Sequence, residues 1–175
     1  MFVLGIDPGL TTTGYGLLRS RPRPQAVAVG VIRTDPAAPV AERLRELYRD
    51  LTSVIVEHRP DRMAIEEVFV NLNRQTAAAV GRAAGVVILA AAQAGLPVHE
   101  YTPTAVKSAV AGYGGADKRQ VRAMVARRLG LAVLPGPSDA ADALAVAVCH
   151  AWGGGLRDAV AAAVVKEERS GGVLG

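Results

Sequence analysis

Apolar and polar positions along the chain follow two regimes, strand-like in the first third and mostly helical afterwards. FVLGI (residues 2–6) is a short unbroken apolar run of the kind a strand buried on both faces shows, and GYGLLRS and AVAVGVIRT continue as two further strands. Between those two, Arg21-Pro22-Arg23-Pro24 reads as a hairpin connection. From Pro39 the period changes. Leu44, Leu47, Leu51, Val54 and Ile55 recur at three- and four-residue steps until His58-Arg59-Pro60 stops the helix. RMAIEEVFV (62–70) predicts a fourth strand and PVHEY (97–101) a fifth, joined by an alanine-rich helix over residues 76–95. Strand, helix, strand across that joint implies a right-handed parallel crossover.

Beyond Tyr101 the pattern predicts a short helix over 104–110, a basic one over 118–129 and an apolar one over 139–152. The last follows Pro135-Gly136-Pro137, with Ser138 as its expected N-cap. Gly153-Gly154-Gly155 closes the compact part. The expected organisation is one domain over residues 1–153, an α/β fold with a five-stranded mixed sheet and helices on both faces. A glycine-rich tail over 154–175, with room for a short helix, follows it. No internal repeat or coiled-coil heptad interrupts this reading.

Composition narrows the setting. A chain of 175 residues, half of them hydrophobic, suits one sizeable core and excludes a disordered chain. The 20 Lys and Arg against 16 Asp and Glu favour a polyanionic partner without requiring one. The lone cysteine, Cys149, excludes an internal disulfide and a cysteine-based zinc site, and suits a reducing cytoplasm. The N-terminal apolar stretch is too short for a secretory signal. The alanine-rich tract, interrupted by Arg82 and Gln93, is expected to be a packed helix and not a membrane span. Within it, Gly81 and Gly85 permit close approach of another element, expected to come from the same chain.

Four carboxylate positions are harder to explain by solvation. Asp7 ends the first buried strand, Glu66 or Glu67 interrupts the fourth, and Asp139 and Asp142 sit at the start of the last apolar helix. Alternation sends Glu66 and Glu67 to opposite faces, so only one can join the others, whereas Asp139 and Asp142 share a helix face. Taken singly, each has an ordinary structural explanation in a turn, a helix first turn or a strand edge. Asp142 resists it, because its neighbours are apolar and no cation lies within a turn of its own helix. Carboxylates converging at one sheet edge repel unless hard divalent cations make them ligands. Mg²⁺ suits such a set and suits phosphoryl chemistry, with two ions roughly 4 Å apart flanking a phosphorus.

GIDPGLTTTGYG, AIEEVF, the lysine of TAVKSAVAG, the lysine of GADKRQV and SDAADALAVAV occur in an order and at separations that resemble the RuvC family of Holliday-junction resolvases. The resemblance spans residues 2–152. It implies an RNase H-like fold and a homodimer that nicks two opposed strands of a four-way DNA junction with Mg²⁺ or Mn²⁺, in recombination and repair. It also implies branch-migration proteins as partners. Residue by residue, it assigns metal and catalytic roles to Asp7, Glu66, Asp139 and Asp142, choosing the first glutamate of the pair. It places Lys107 and Lys118 near the scissile phosphate and Phe69 as an aromatic stacking near the opened junction centre. An exposed aromatic there would gain about 1–3 kcal/mol per stacked base. Arg119 and Arg122 extend the basic face that begins at Lys118, a surface suited to DNA phosphates.

Two rivals use the same residues. An acidic turn rich in glycine and threonine after a strand also occurs in actin-like and sugar-kinase ATPases, but that fold needs a second lobe that this chain has no room for. An RNase H-like nuclease acting on structured RNA or an RNA:DNA hybrid would share fold and chemistry, and the fold alone does not choose between them.

Overall fold

The computed structural model describes residues 1–67 and 74–154. Five strands form one sheet in the order β3-β2-β1-β4-β5: β1 is Phe2–Asp7, β2 Thr12–Arg19, β3 Gln25–Arg33, β4 Arg62–Glu66 and β5 Val98–Tyr101. β2 runs antiparallel to both β1 and β3, and β4 and β5 add to β1 in parallel, as the crossover reading requires. Five helices follow the expected places: α1 Val40–His58, α2 Arg74–Gln93, α3 Pro103–Ala111, α4 Lys118–Arg128 and α5 Ser138–Cys149, the last running into a wider turn over His150–Gly154.

The period-two alternation of the central strands divides the core. Leu4, Ile6, Leu17, Met63 and Ile65 point to one face, where they pack with Leu47, Leu51 and Ile55 of α1 and with Ala83, Val87 and Ala91 of α2. Val3, Leu18 and Ala64 point to the other, against α3, α4 and α5. Helices therefore cover both faces. α2 is long and apolar enough to cross a membrane by length and composition, but here it buries its alanine and valine face on the sheet.

The two faces differ in depth. Toward α1 and α2 the sheet presents branched side chains; toward α5 it presents glycine. A Cβ added at Gly5 would lie 2.0 Å from the Ala143 carbonyl oxygen, and one at Gly14 would lie 2.1 Å from that of Asp139. α5, itself mostly alanine, thus lies with its backbone on β1 and β2, and nearly all of it is buried.

Two expectations need correction. Ser138 is the first residue of α5, not its cap: Pro137 precedes the helix without a side-chain cap, and the Ser138 hydroxyl instead accepts from Arg122. Gly81 and Gly85 do not seat an element among the described residues, where an added Cβ at either meets nothing within 4 Å. The predicted third residue of β4's extension, Phe69, and the tail beyond residue 154 lie outside the described residues.

Candidate active site

Asp7 is the last residue of β1 and Glu66 the last of β4. The register Ile6 to Ile65 between these parallel strands sets the two carboxylates side by side at the sheet's carboxyl edge. Glu66 is half-buried whereas Glu67 is exposed, as alternation demands of a pair of which one turns inward. Asp7 is also paired with Gly14 of β2, and the missing side chain at Gly14 lets the backbone of Asp139 approach. The first turns of α5 thereby bring Asp139 and Asp142 to the same edge.

Two helices supply the cations. Asp117 caps α4 through a reciprocal capping box with Gln120: the Asp117 carboxylate accepts from the Gln120 amide at 2.7 Å, and the Gln120 side chain accepts from the Asp117 amide at 2.9 Å. That cap fixes Lys118 as the first helical residue. Lysine and arginine in a helix's first turn oppose the macrodipole, and α4 has no acidic residue there to compensate. The local cost is offset across the cleft, where Lys118 Nζ donates to Asp142 Oδ2 at 2.8 Å. Arg122 adds an ion pair from its Nη2 to Asp142 Oδ1 at 3.4 Å and also donates to the Ser138 carbonyl at 3.0 Å. Asp142 is thus neutralised, from α4 and not from its own helix. Thr102 caps α3, which carries Lys107.

These groups surround a cavity of about 280 Å³ whose lining includes Glu66, Val106, Lys107, Lys118, Val121 and Asp142. Its charge balance is visible in the titration of its acids. Asp7 is pushed up from 3.8 to about 7, first by burial, then by repulsion from Glu66 and Asp142, with Lys118 pulling the other way and Asp139 adding to the rise. Burial and Asp142 also raise Glu66, against the opposing pull of Lys118 and Lys107. Lys118 is held above its ordinary value by its hydrogen bond to Asp142.

A folded-state pKa above the unfolded one means the native protein binds that proton more tightly. Stability from protonated Asp7 is complete below about pH 4 and is lost as pH rises to about 7. Glu66 acts in the same direction. In chelator, the urea midpoint is expected to fall between pH 5 and 8, and millimolar Mg²⁺ should restore it far more at pH 8 than at pH 5. Equal restoration at both would contradict cation binding by these acids.

Among the described residues, no three acidic, histidine or cysteine side chains are close enough to share one ion as they stand. Asp142 is turned toward Lys118 and Arg122 instead. The donor set nonetheless fits a hard cation in its chemistry. It is all carboxylate oxygen, buried and crowded enough to raise Asp7 to about 7, and attached to three elements that meet at one edge.

Of the residues expected at the site, Asp7, Glu66, Asp139, Asp142, Lys107 and Lys118 come together. Arg122 ties α4 to α5 and does not stand free on the basic face. Arg119 is exposed and flanks a separate groove against residues 132–138. Phe69 is outside the described residues. Pattern reading missed the residues that hold the frame: Gly5 and Gly14, and Arg43, whose place in the stripe Arg43-Leu47-Leu51-Ile55 was the available signal.

Sequence and structure comparisons show the family and the fold. The family model described as "Crossover junction endodeoxyribonuclease RuvC" matches residues 3–150. The chain belongs to this family. The RuvC of Salinispora arenicola is 51% identical over 174 residues, covering 98% of this chain and 99% of that protein. The RuvC of Pelotomaculum thermopropionicum is 54% identical over 152 residues, 86% of this chain and 93% of that protein. Among solved structures, Thermus thermophilus RuvC in complex with a Holliday junction substrate superposes with a TM-score of 0.81 at 40% identity, over 87% of this chain and 93% of that one. The yeast mitochondrial resolvase Ydc2, at 13% identity and a TM-score of 0.59 over 89% of this chain and 82% of that one, shares the fold alone. The mixed sheet with helices on both faces is the RNase H-like fold of the RuvC family.

Proposed function

We propose that this protein resolves four-way DNA junctions by two symmetric nicks, as a divalent-cation-dependent endonuclease working on DNA in the cytoplasm. The observation that carries the reading is the convergence of Asp7, Glu66, Asp139 and Asp142, far apart in sequence, beside Lys107 and Lys118 at one sheet edge. Nicks on opposed strands require two copies of this site, which a homodimer supplies with the symmetry of the junction. Branch-migration proteins are the expected partners on the same junction.

The four carboxylates would hold the ions, Mg²⁺ with Mn²⁺ able to substitute, which when bound supply an activated water and charge stabilisation at the phosphorus. The chain's own residues do the rest. Lys118, now bonded to Asp142, is exposed enough to turn toward a phosphate oxygen in the cleft, and Lys107 faces the same cavity beside Glu66. Arg119 meets backbone phosphate along the duplex arm, and Phe69 stacks at the opened centre as the family resemblance implies.

The test is the purified protein with a four-way junction, a linear duplex and an RNA:DNA hybrid, each with and without Mg²⁺. Paired, symmetric, Mg²⁺-dependent nicks confined to the junction support the reading; preferential cutting of the hybrid transfers the site to the rival substrate. In the same assay, Lys118→Met is expected to slow single-turnover nicking about 10²-fold, with junction affinity little changed.

A further inference from the structure

We infer that Arg43 is a positioning residue for the Asp7 carboxylate, acting through a clamp of two threonines on the loop over residues 8–11. The inference rests on the reading of Asp7 as part of a nuclease site. Arg43 lies on the inner face of α1, in line with Leu47, Leu51 and Ile55, and retains only 9% of its surface exposed. Among the described residues, no carboxylate pairs with it. A buried guanidinium without a counter-ion is costly to desolvate, and an apolar residue would serve the packing of that stripe as well. Its hydrogen bonds are therefore where its value lies.

One partner, Thr11, lies in the loop that leaves Asp7, and the other, Thr34, follows β3 and is bonded to that loop. Arg43 Nε donates to Thr34 Oγ1 at 2.9 Å, and its Nη2 donates to Thr11 Oγ1 at 2.8 Å. Thr34 passes the hold on: its hydroxyl donates to the Leu10 carbonyl at 2.6 Å and its amide to the Thr11 carbonyl at 3.1 Å. From the other side, the Thr13 hydroxyl donates to the Gly9 carbonyl at 2.7 Å. Leu10 itself is sunk in the core between sheet and α1. Every residue from Gly9 to Thr11 is thus held, and Arg43 supplies the side-chain hydrogen bond that joins that loop to α1.

The loop starts at Asp7 and returns to Gly14, which faces Asp7 across β1 and β2. Slack in it passes directly to the end of β1. Positioning within about an ångström governs such chemistry, where a misplacement of that size can cost about 10²-fold in rate. The influence is mechanical: the charges that act on Asp7 are those of Glu66, Asp142, Lys118 and Asp139.

Three variants test this in the full-length protein: Arg43→Met, Arg43→Lys and Thr11→Val. Thr11 is exposed, so its change removes one acceptor without disturbing the core. Arg43→Met is expected to slow single-turnover nicking at saturating junction at least tenfold, with Kd for the junction within twofold and the pH–rate profile unmoved. Arg43→Lys should fall between, since an ammonium cannot serve both threonines. Thr11→Val should slow nicking with an unchanged Tm, and adding it to Arg43→Met should cost nothing more. Amide exchange of residues 9–12 should quicken in Arg43→Met while that of the β1 and β4 interior does not. Wild-type rates and wild-type loop exchange in Arg43→Met would overturn the inference; so would Thr11→Val at the wild-type rate if Arg43→Met fails to fold. A wild-type protein that nicks no junction overturns the nuclease reading instead, and loop exchange then still decides whether the clamp exists.

Discussion

Replacing Asp7 with asparagine is expected to abolish nicking while leaving junction binding intact, and to make the cation-free protein more stable above pH 7. The two effects have one cause. Asp7 sits where burial and three other carboxylates oppose its charge, so that its pKa rises to about 7. A site that tolerates such a charge only at a cost in the folded protein is arranged for something that binds the charge. Asparagine keeps the shape and loses both the ligand charge and the cost. The loss of rate should reach about 10³-fold or more, equivalent to about 4 kcal/mol of transition-state stabilisation. The gain in stability should be about 1–3 kcal/mol at pH 8 and vanish near pH 4, a fraction of the full linkage at about 1.4 kcal/mol per pKa unit because water reaches the site. Single-turnover nicking, junction titration and urea melts at both pH values in chelator measure all three. A variant that cuts at near wild-type rate would remove Asp7 from the machinery; one that is less stable at pH 8 would mean that its charge is not opposed in the fold.

How far the chain could be read in advance depended on whether the cause was local. FVLGI was legible because a central strand buried on both faces has no polar position to spare, and α1 because its leucines keep helical spacing against one face of the sheet. The acidic set was legible as a set of anomalies, each a charge where an apolar residue was due. What joined them was not. Asp142 draws Lys118 and Arg122 from a helix some twenty residues earlier, and no local pattern announces a salt bridge between helices. Ser138 shows the same limit in reverse: its sequence position suits a cap, yet Arg122 takes its hydroxyl and the helix begins at that residue. Arg43 was written into an otherwise apolar stripe, but its partners Thr11 and Thr34 become neighbours only when β3 and the Asp7 loop close over α1.

The glycines carry the sharpest contrast, and with it a second large expected effect. Gly14→Ala should lower stability by about 3 kcal/mol, the upper end for overpacking of a filled interior, and cut nicking about 10²-fold, from a site displaced by about an ångström. The added methyl would stand 2.1 Å from the carbonyl oxygen and 2.3 Å from the carbonyl carbon of Asp139, both backbone atoms that no rotamer change can move aside. α5 must therefore lift at its first turn, and Asp139 and Asp142 move with it, away from Asp7 and Glu66. Gly85→Ala is the control. Among the described residues an added methyl there meets nothing within 4 Å, and helix propensity alone predicts a gain of up to about 1 kcal/mol in the stability of the subunit. A fall in Tm of roughly 6–12 °C at Gly14 against no fall at Gly85 would show that the contact of α5 with the sheet, and not glycine content, sets the acidic edge. If Gly14→Ala keeps both its Tm and its nicking rate, α5 is not seated on β2 as described, and the convergence of Asp139 with Asp7 loses its structural basis.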